Sequence, residues 1–281
     1  MMAKSRLKLL AILTFILCAI TAFTSVCGIV FEKELYSANT PAYIVSSVGT
    51  DWGNLLVIIP ILLICSTLML RGSSRAFLIW SGAMMYALYL FLYNNFTLHF
   101  NHLFLAYCAE FGIVFYSLFI AVSSIRPEKI KSSFSEVTRT KGTIIYLTVM
   151  GAAFIALWLS DILPASISGV VPKSEAILGF QNAPFHVLDL AIFFPGFLIA
   201  AYLLLKKNPY GYWMAASLMV YAVIMTLCLV FLTVITAVKG IGFSLSDILL
   251  FGSATLLSAI FLVRFMSFCR FQNQNETIET K

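Results

Sequence analysis

Three ionisable side chains stand close together in FTLHFNHLFLAYCAEF, which occupies residues 96–111. His99 and His102 are three residues apart, so a helix would place them on one face. Glu110 follows eight residues later inside an apolar run, where a carboxylate is costly and commonly belongs to a binding site or an ion pathway. We expect Glu110 to serve a ligand or a proton; the alternative is a protonated structural glutamate bonded to a neighbouring helix.

A second polar group lies in the stretch NAPFHVLDL, further along the chain. His186 and Asp189 are three residues apart and share a helix face. We expect both to face one polar cavity together with Glu110, with His99 and His102 near its mouth. This arrangement predicts a ligand-binding carrier or sensor with a polar cavity in its extracytoplasmic half.

The histidines do not have the spacing of a metal site. On a straight helix His99 and Glu110 would be about 16 Å apart along the axis, so they cannot hold one ion together with His102. HxxH is a weak signal, and neither HExxH, GxSxG nor a P-loop occurs. We therefore expect no cofactor. An intramembrane metal-dependent enzyme that uses the His/Asp/Glu set is the alternative function.

The composition is that of a membrane protein. Of the 281 residues 61% are hydrophobic and 11% are charged, and the mean hydropathy is +0.97; a soluble domain carries about 25% charged residues. The net charge of +6 lies in short loops between apolar runs, which excludes a nucleic-acid partner. The expected partners are membrane lipids and a small molecule or ion. The composition does not determine the oligomeric state.

Eight apolar runs are long enough to cross a hydrocarbon core about 30 Å thick as helices. Segments of this length inside lipid must be helical, because a barrel would show short alternating strands instead. The predicted fold is an all-α integral membrane protein with eight transmembrane helices. The runs lie near 8–30, 52–70, 76–94, 102–125, 143–163, 186–205, 211–237 and 246–268.

The basic residues predict the orientation. Of the 18 Lys and Arg residues, only Lys33, Lys173 and Lys239 lie in the first and other odd-numbered loops; the rest lie at the two termini and in the even-numbered loops. Cytoplasmic loops carry the excess of Lys and Arg. We therefore expect a protein integral to the cell membrane, with both termini in the cytoplasm.

An internal repeat relates the two halves of the chain at a constant offset. Pro60 and Pro195 define this offset, and a basic residue follows each proline by eleven positions. The motif Met-x-Tyr-Ala recurs at the same offset, beginning at Met84 and Met219. The alternative is chance similarity between Leu-rich helices. A duplication of four spans gives a parallel tandem repeat, with its pseudo-twofold axis along the membrane normal.

The repeat divides the chain into a first four-helix unit, 1–134, a second four-helix unit, 135–270, and a polar cytoplasmic tail, 271–281. Asn54 then aligns with Asp189, so Asn54 joins the candidate site residues at an equivalent depth.

Asp51 aligns with His186. We interpret Asp51 as an interfacial residue near a helix start, where the positive end of the helix dipole favours a carboxylate.

Four segments carry a resemblance to known proteins: WGNLLVIIPILLICSTLMLRGS, NHLFLAYCAEF, HVLDLAIFFP and KKNPYGYWMA. They cover much of spans 2–4 and 6–7, and the chain resembles an uncharacterised group of prokaryotic multi-pass membrane proteins. The resemblance brings no known activity with it, so it assigns no functional residue.

The predicted topology can be tested with reporter fusions in a bacterial host. External signals are expected at positions 35, 98, 174 and 241, and internal signals at 73, 133 and 207. The reason is the concentration of Lys and Arg in alternate loops. A cytoplasmic signal at position 174 would contradict eight spans with cytoplasmic termini.

Overall fold

The computed structural model describes residues 2–135, 138–179, 184–240 and 244–269. Eight helices in these residues are long and apolar enough to cross a membrane, which confirms the predicted number and type of the elements. The predicted tail, 271–281, lies outside the described residues. The eight helices are α1 (Lys4–Val30), α2 (Pro41–Leu70), α3 (Ser74–Thr97), α4 (Phe104–Ser124), α5 (Lys141–Ser168), α6 (Pro184–Leu205), α7 (Pro209–Val238) and α8 (Leu245–Ser267).

The second helix begins well before the predicted start near residue 52. Pro41 occupies its first turn, and the Thr40 side chain caps it by accepting a hydrogen bond from the Tyr43 backbone N–H. Both features favour a helix start at this point. The segment 41–51, which lies outside the predicted second span, 52–70, is therefore helical.

Short helices also lie in the connections that flank the second and sixth long helices. Glu32–Leu35 precedes α2, and Lys173–Leu178 lies between α5 and α6. A further short helix, Pro127–Ser133, links α4 to α5. Tyr36, directly after the first of these helices, contacts the buried Asp51, and Ser174 of the second helix lines the pocket that contains Asp189, as described below.

Both α2 and α6 contain one π-helical turn, Asn54–Ile58 and Asp189–Phe193. The residue after each turn donates its backbone N–H to the carbonyl five positions earlier, Asn54 or Asp189. A proline, which has no N–H to donate, follows at once in each helix. The wider turn thus begins at a candidate site residue in both helices, and such turns are frequent at functional sites.

The centre of the bundle is the contact between α3 and α7. A Cβ atom added to Gly82 of α3 would overlap the Ser217 carbonyl oxygen and the Val220 side chain of α7. The indole N–H of Trp213 in α7 donates to the Ser81 hydroxyl of α3 at 3.3 Å. Small residues at such a crossing let two membrane helices approach closely.

The remaining helices pack around this pair in two similar groups. Helix α1 contacts α2 and α4, and α2 and α4 each contact α3. In the second group α5 contacts α6 and α8, and α6 and α8 each contact α7.

One end of the bundle gathers the connections that are rich in Lys and Arg. Arg75, at the start of α3, donates to the Cys269 carbonyl oxygen after α8. Lys131 donates to the Lys207 carbonyl oxygen, between α6 and α7, at 2.7 Å. These contacts hold the even-numbered connections and the end of α8 together.

The opposite end gathers the connections that carry few basic residues. The Thr40 hydroxyl donates to the Leu178 carbonyl oxygen at 3.1 Å, and Lys239 forms an ion pair with Glu32 at 3.2 Å. Successive long helices therefore run between two chemically different ends.

Candidate functional site

A pocket with a volume of about 330 Å³ lies among α2, α3, α5, α6 and α7. This volume is at the lower end of the range for small-molecule sites, about 300–1,000 Å³. Its wall is rich in aromatic side chains and buried hydroxyl groups. The aromatic residues on it include Tyr86, Tyr89, Tyr93, Trp158, Phe194 and Tyr221.

Asp189 supplies the one carboxylate among the described residues that line this pocket, and no Lys, Arg or His is among them. The side chain is buried, with 6% of the residue exposed, and Oδ2 accepts a hydrogen bond from Trp158 Nε1 at 2.8 Å. Tyr89 and Tyr221 lie within electrostatic range of it. The neighbours of this carboxylate in the pocket are therefore indole and phenol groups rather than a basic side chain.

Aromatic rings pack closely around the π-helical turn in α6. The Phe193 and Tyr221 rings stack with their centroids 4.3 Å apart, and Tyr89 meets Phe193 edge-on at 5.4 Å. Near the start of α6, Trp158 lies 5.4 Å from Phe185. Aromatic rings near a carboxylate suit a cation with an apolar body, because the face of an aromatic ring attracts positive charge.

His186 does not line the pocket but belongs to a polar array at its edge. Its Nδ1 lies 2.7 Å from Glu175 Oε1, and its Nε2 lies 3.2 Å from the Ser174 hydroxyl. Ser174 itself lines the pocket. The order Ser–His–Glu is the order of a hydrolase triad.

The hydroxyl of Ser174 is directed elsewhere, however. It donates to Asp161 Oδ2, and the Ser174 backbone N–H is directed at the same oxygen at 3.3 Å. A nucleophilic serine needs its proton aimed at the imidazole, and an oxyanion hole needs N–H groups that are not already engaged. These hydrogen bonds attach the helix Lys173–Leu178 to α5 and α6 at the edge of the pocket.

Glu110 lies in a separate polar cluster formed by α1, α2 and α4. Glu110 is 1% exposed, and its Oε1 accepts a hydrogen bond from the Thr24 hydroxyl of α1 at 2.7 Å. Asn54, 3% exposed, donates through Nδ2 to the Ser25 hydroxyl of α1 at 3.1 Å. This cluster, which we call the α1 cluster, also includes Asp51, Thr21 and Tyr107.

The α1 cluster corrects the interpretation of Asp51 as a residue near a helix start. Because α2 begins at Pro41, Asp51 lies inside the helix and is 8% exposed. Its Oδ2 accepts a hydrogen bond from the Tyr36 hydroxyl at 2.8 Å. Burial and the neighbouring carboxylate raise the pKa of Tyr36 well above its ordinary value, so the phenol keeps its proton and remains a donor.

The structure does not bring Glu110, His186 and Asp189 into one cavity. Asp189 lines the pocket, His186 lies beside it, and Glu110 lies in the α1 cluster. His99 and His102 are exposed on the connection between α3 and α4. Within the described residues, no group of three His, Cys, Asp or Glu side chains is placed to hold a metal ion.

Comparison with known proteins gives no assignment: no family model, no curated protein and no solved structure matches the chain. The function has to be inferred from the pocket and the α1 cluster.

Gly28→Ala tests the packing of the α1 cluster. A Cβ atom at this position would overlap Asp51 Oδ2 and the Tyr36 hydroxyl, so the substitution must displace their hydrogen bond. We expect the free energy of unfolding in detergent to fall by about 1–3 kcal/mol, as for other overpacked sites.

Gly112→Ala in α4 is the matched control, because no atom lies within 4 Å of its added Cβ. It should leave stability unchanged or raise it slightly, since Ala favours a helix over Gly. Equal melting temperatures for the two variants would show that Gly28 does not hold a close contact.

Proposed function

We propose that the protein is a membrane carrier for small organic cations with an apolar body, bound in the pocket around Asp189. The observation that carries the proposal is the buried Asp189 carboxylate, which is surrounded by aromatic rings and has no basic partner among the described residues of the pocket wall. A cationic ligand would supply the missing positive charge.

The energetic argument favours a cation over a neutral molecule. A carboxylate is expensive in an apolar interior unless a positive charge or several donors compensate it. Trp158 and Tyr89 supply hydrogen bonds to Asp189 but no positive charge. Desolvated cation–π contacts add about 2 kcal/mol each in favourable geometries, and Tyr89 and Tyr221 are placed to provide them.

We further propose that residues 1–134 and 135–270 form a parallel tandem repeat. The π-helical turns Asn54–Ile58 and Asp189–Phe193 are separated by the same offset as Pro60 and Pro195, which supports this proposal.

The contact at the centre of the bundle is a second observation in support. Gly82 and Ser217 are also equivalent positions at this offset, and they meet where α3 crosses α7. Contact between equivalent residues is the property of a twofold interface.

A repeat of this kind provides a route to transport. The pocket is lined by α2 and α3 of the first unit and by helices of the second unit, so relative motion of the units could change access to it. A sensor would bind the same ligand without moving it across the membrane. Uptake into proteoliposomes separates these two functions.

We place the protein in the cell membrane, surrounded by lipid, with both termini in the cytoplasm. The eight apolar helices support a membrane location, and the collection of Lys and Arg at one end of the bundle supports this orientation. The pocket reaches Ser174 and Leu178, in the short helix at the opposite end, so it would open toward the outside.

Asp189→Asn tests the proposed ligand class with the purified full chain. Phenethylamine is the probe, and phenethyl alcohol is its neutral counterpart. We expect the wild type to bind the amine saturably by calorimetry, and Asp189→Asn to weaken it at least about tenfold, because the charge is lost while the Trp158 hydrogen bond can remain.

Asp247→Asn is the matched control, since Asp247 is exposed at the start of α8 and away from this pocket. It should leave the affinity for the amine unchanged. Equal affinity for amine and alcohol, or an unchanged affinity in Asp189→Asn, would contradict recognition of a cation.

A further inference from the structure

We infer that the α1 cluster is a binding site for a monovalent cation, sodium, separate from the pocket around Asp189. The site lies between α1, α2 and α4 and uses the carboxylates of Asp51 and Glu110 with neutral oxygen atoms from Asn54, Thr21 and Tyr107. Binding of sodium here does not depend on the proposed carrier function.

Three buried oxygen atoms of the cluster have no hydrogen-bond partner in the part of the chain that the structure describes. They are Asn54 Oδ1, Thr21 Oγ1 and the Tyr107 hydroxyl. These residues are 3%, 2% and 6% exposed, so bulk water does not solvate them. A buried polar atom without a partner costs about 1–3 kcal/mol, and three in one cluster indicate a ligand that all of them can bind.

Two of the three unpartnered atoms belong to side chains that lie beside the carboxylates. Tyr107 lies within electrostatic range of both Asp51 and Glu110, and the Thr21 side chain lies beside Glu110.

Asn54 is linked to the same group through Ser25. Its Nδ2 donates to the Ser25 hydroxyl, which neighbours Asp51, and Asp51 and Glu110 lie within electrostatic range of each other. The cluster is therefore one connected site rather than several isolated polar contacts.

The charge of the cluster is not balanced by the protein. Neither Asp51 nor Glu110 belongs to an ion pair with a Lys, Arg or His among the described residues. Their described hydrogen bonds come from neutral hydroxyl groups, Tyr36 and Thr24. The carboxylates and the three unpartnered oxygen atoms would all serve as ligands of a bound cation.

The donor set indicates which cation. Carboxylate, amide and hydroxyl oxygens bind hard cations, whereas zinc and other transition metals favour sites with nitrogen or sulfur ligands. Mg²⁺ usually keeps several of its water molecules, and Ca²⁺ takes about six to eight oxygen ligands. We take one of the two carboxyl groups to keep its proton, so that the site carries a single negative charge, which one sodium ion balances and a divalent ion would overcompensate. Sodium sites occur within helical membrane proteins.

If the protein is the carrier proposed above, this cluster is the site for its coupling ion. That extension rests on the proposed function, but the binding measurement below does not use the organic ligand. Failure of amine binding and failure of sodium binding can therefore be told apart.

The test is equilibrium binding of ²²Na⁺ to the purified full chain in detergent at fixed pH. We expect saturable binding that unlabelled Na⁺ displaces and that K⁺, Ca²⁺, Mg²⁺ and choline at equal concentration do not. Glu110→Gln should abolish the saturable component, and Asp247→Asn, which removes an exposed carboxylate, should leave it unchanged.

Tyr107→Phe and Thr21→Val keep the test decisive if Glu110→Gln fails to fold. Each removes one unpartnered oxygen with little change in volume, so the fold should be retained. We expect each to weaken sodium binding about tenfold, the effect of losing one interaction with a charged group. Unchanged affinity in both variants, displacement by Ca²⁺ or Mg²⁺, or no saturable sodium binding by the wild type would overturn the inference.

Discussion

A carboxylate inside an apolar helix bundle needs a partner, and this requirement governs the arrangement of the polar side chains in this protein. Insertion of an aspartate at the centre of a membrane helix costs at least about 2.5 kcal/mol. Asp51, Glu110 and Asp189 are all buried, and each accepts a hydrogen bond from a residue outside its own helix. The contacts of these three residues fix which helix faces meet in each half of the bundle.

The two halves of the bundle satisfy this requirement in different ways. In the first half the small hydroxyl side chains of α1 close over the carboxylates, and Gly28 leaves room for Asp51 and Tyr36. In the second half large rings from α3, α5 and α7 surround Asp189 and leave a cavity. The first arrangement suits a small inorganic ion, and the second suits an organic molecule.

The π-helical turns connect this chemistry to the backbone. Asn54 and Asp189 each begin such a turn, and each turn is followed by a proline that cannot complete an ordinary helical hydrogen bond. In both helices the proline follows the site residue at the same spacing, with the wider turn between them. The same offset therefore relates both the prolines and the polar residues that begin the turns.

The sequence was sufficient to predict eight helices, because the apolar runs have the length that a membrane requires. It also singled out Glu110 and Asp189 as candidates, since a lone acid within an apolar run is informative without any knowledge of its neighbours, and the structure shows that both are buried. The contribution of Asp51 was not predicted. Its segment is rich in small polar residues, and the capping by Thr40 that extends α2 depends on local geometry.

The sequence could not predict which of the candidate site residues lie together, for a different reason. Whether Glu110 meets Asp189 or Thr24 depends on which helices pack together, and apolar helix faces of similar composition do not specify this. Ser174 and Glu175, which contact His186, lie in a connection whose sequence resembles an ordinary loop. A short amphipathic segment close to a histidine-containing helix start was the available signal.

The central claim, that Asp189 in its aromatic pocket binds an organic cation, is tested most directly by a density map of the full chain with phenethylamine bound. The account predicts density for the ligand with its ammonium group about 3 Å from the Asp189 carboxylate and its ring against Tyr89 or Tyr221. A map in which the ligand lies away from Asp189, or in which a lipid chain fills the pocket in the presence of saturating amine, would contradict it.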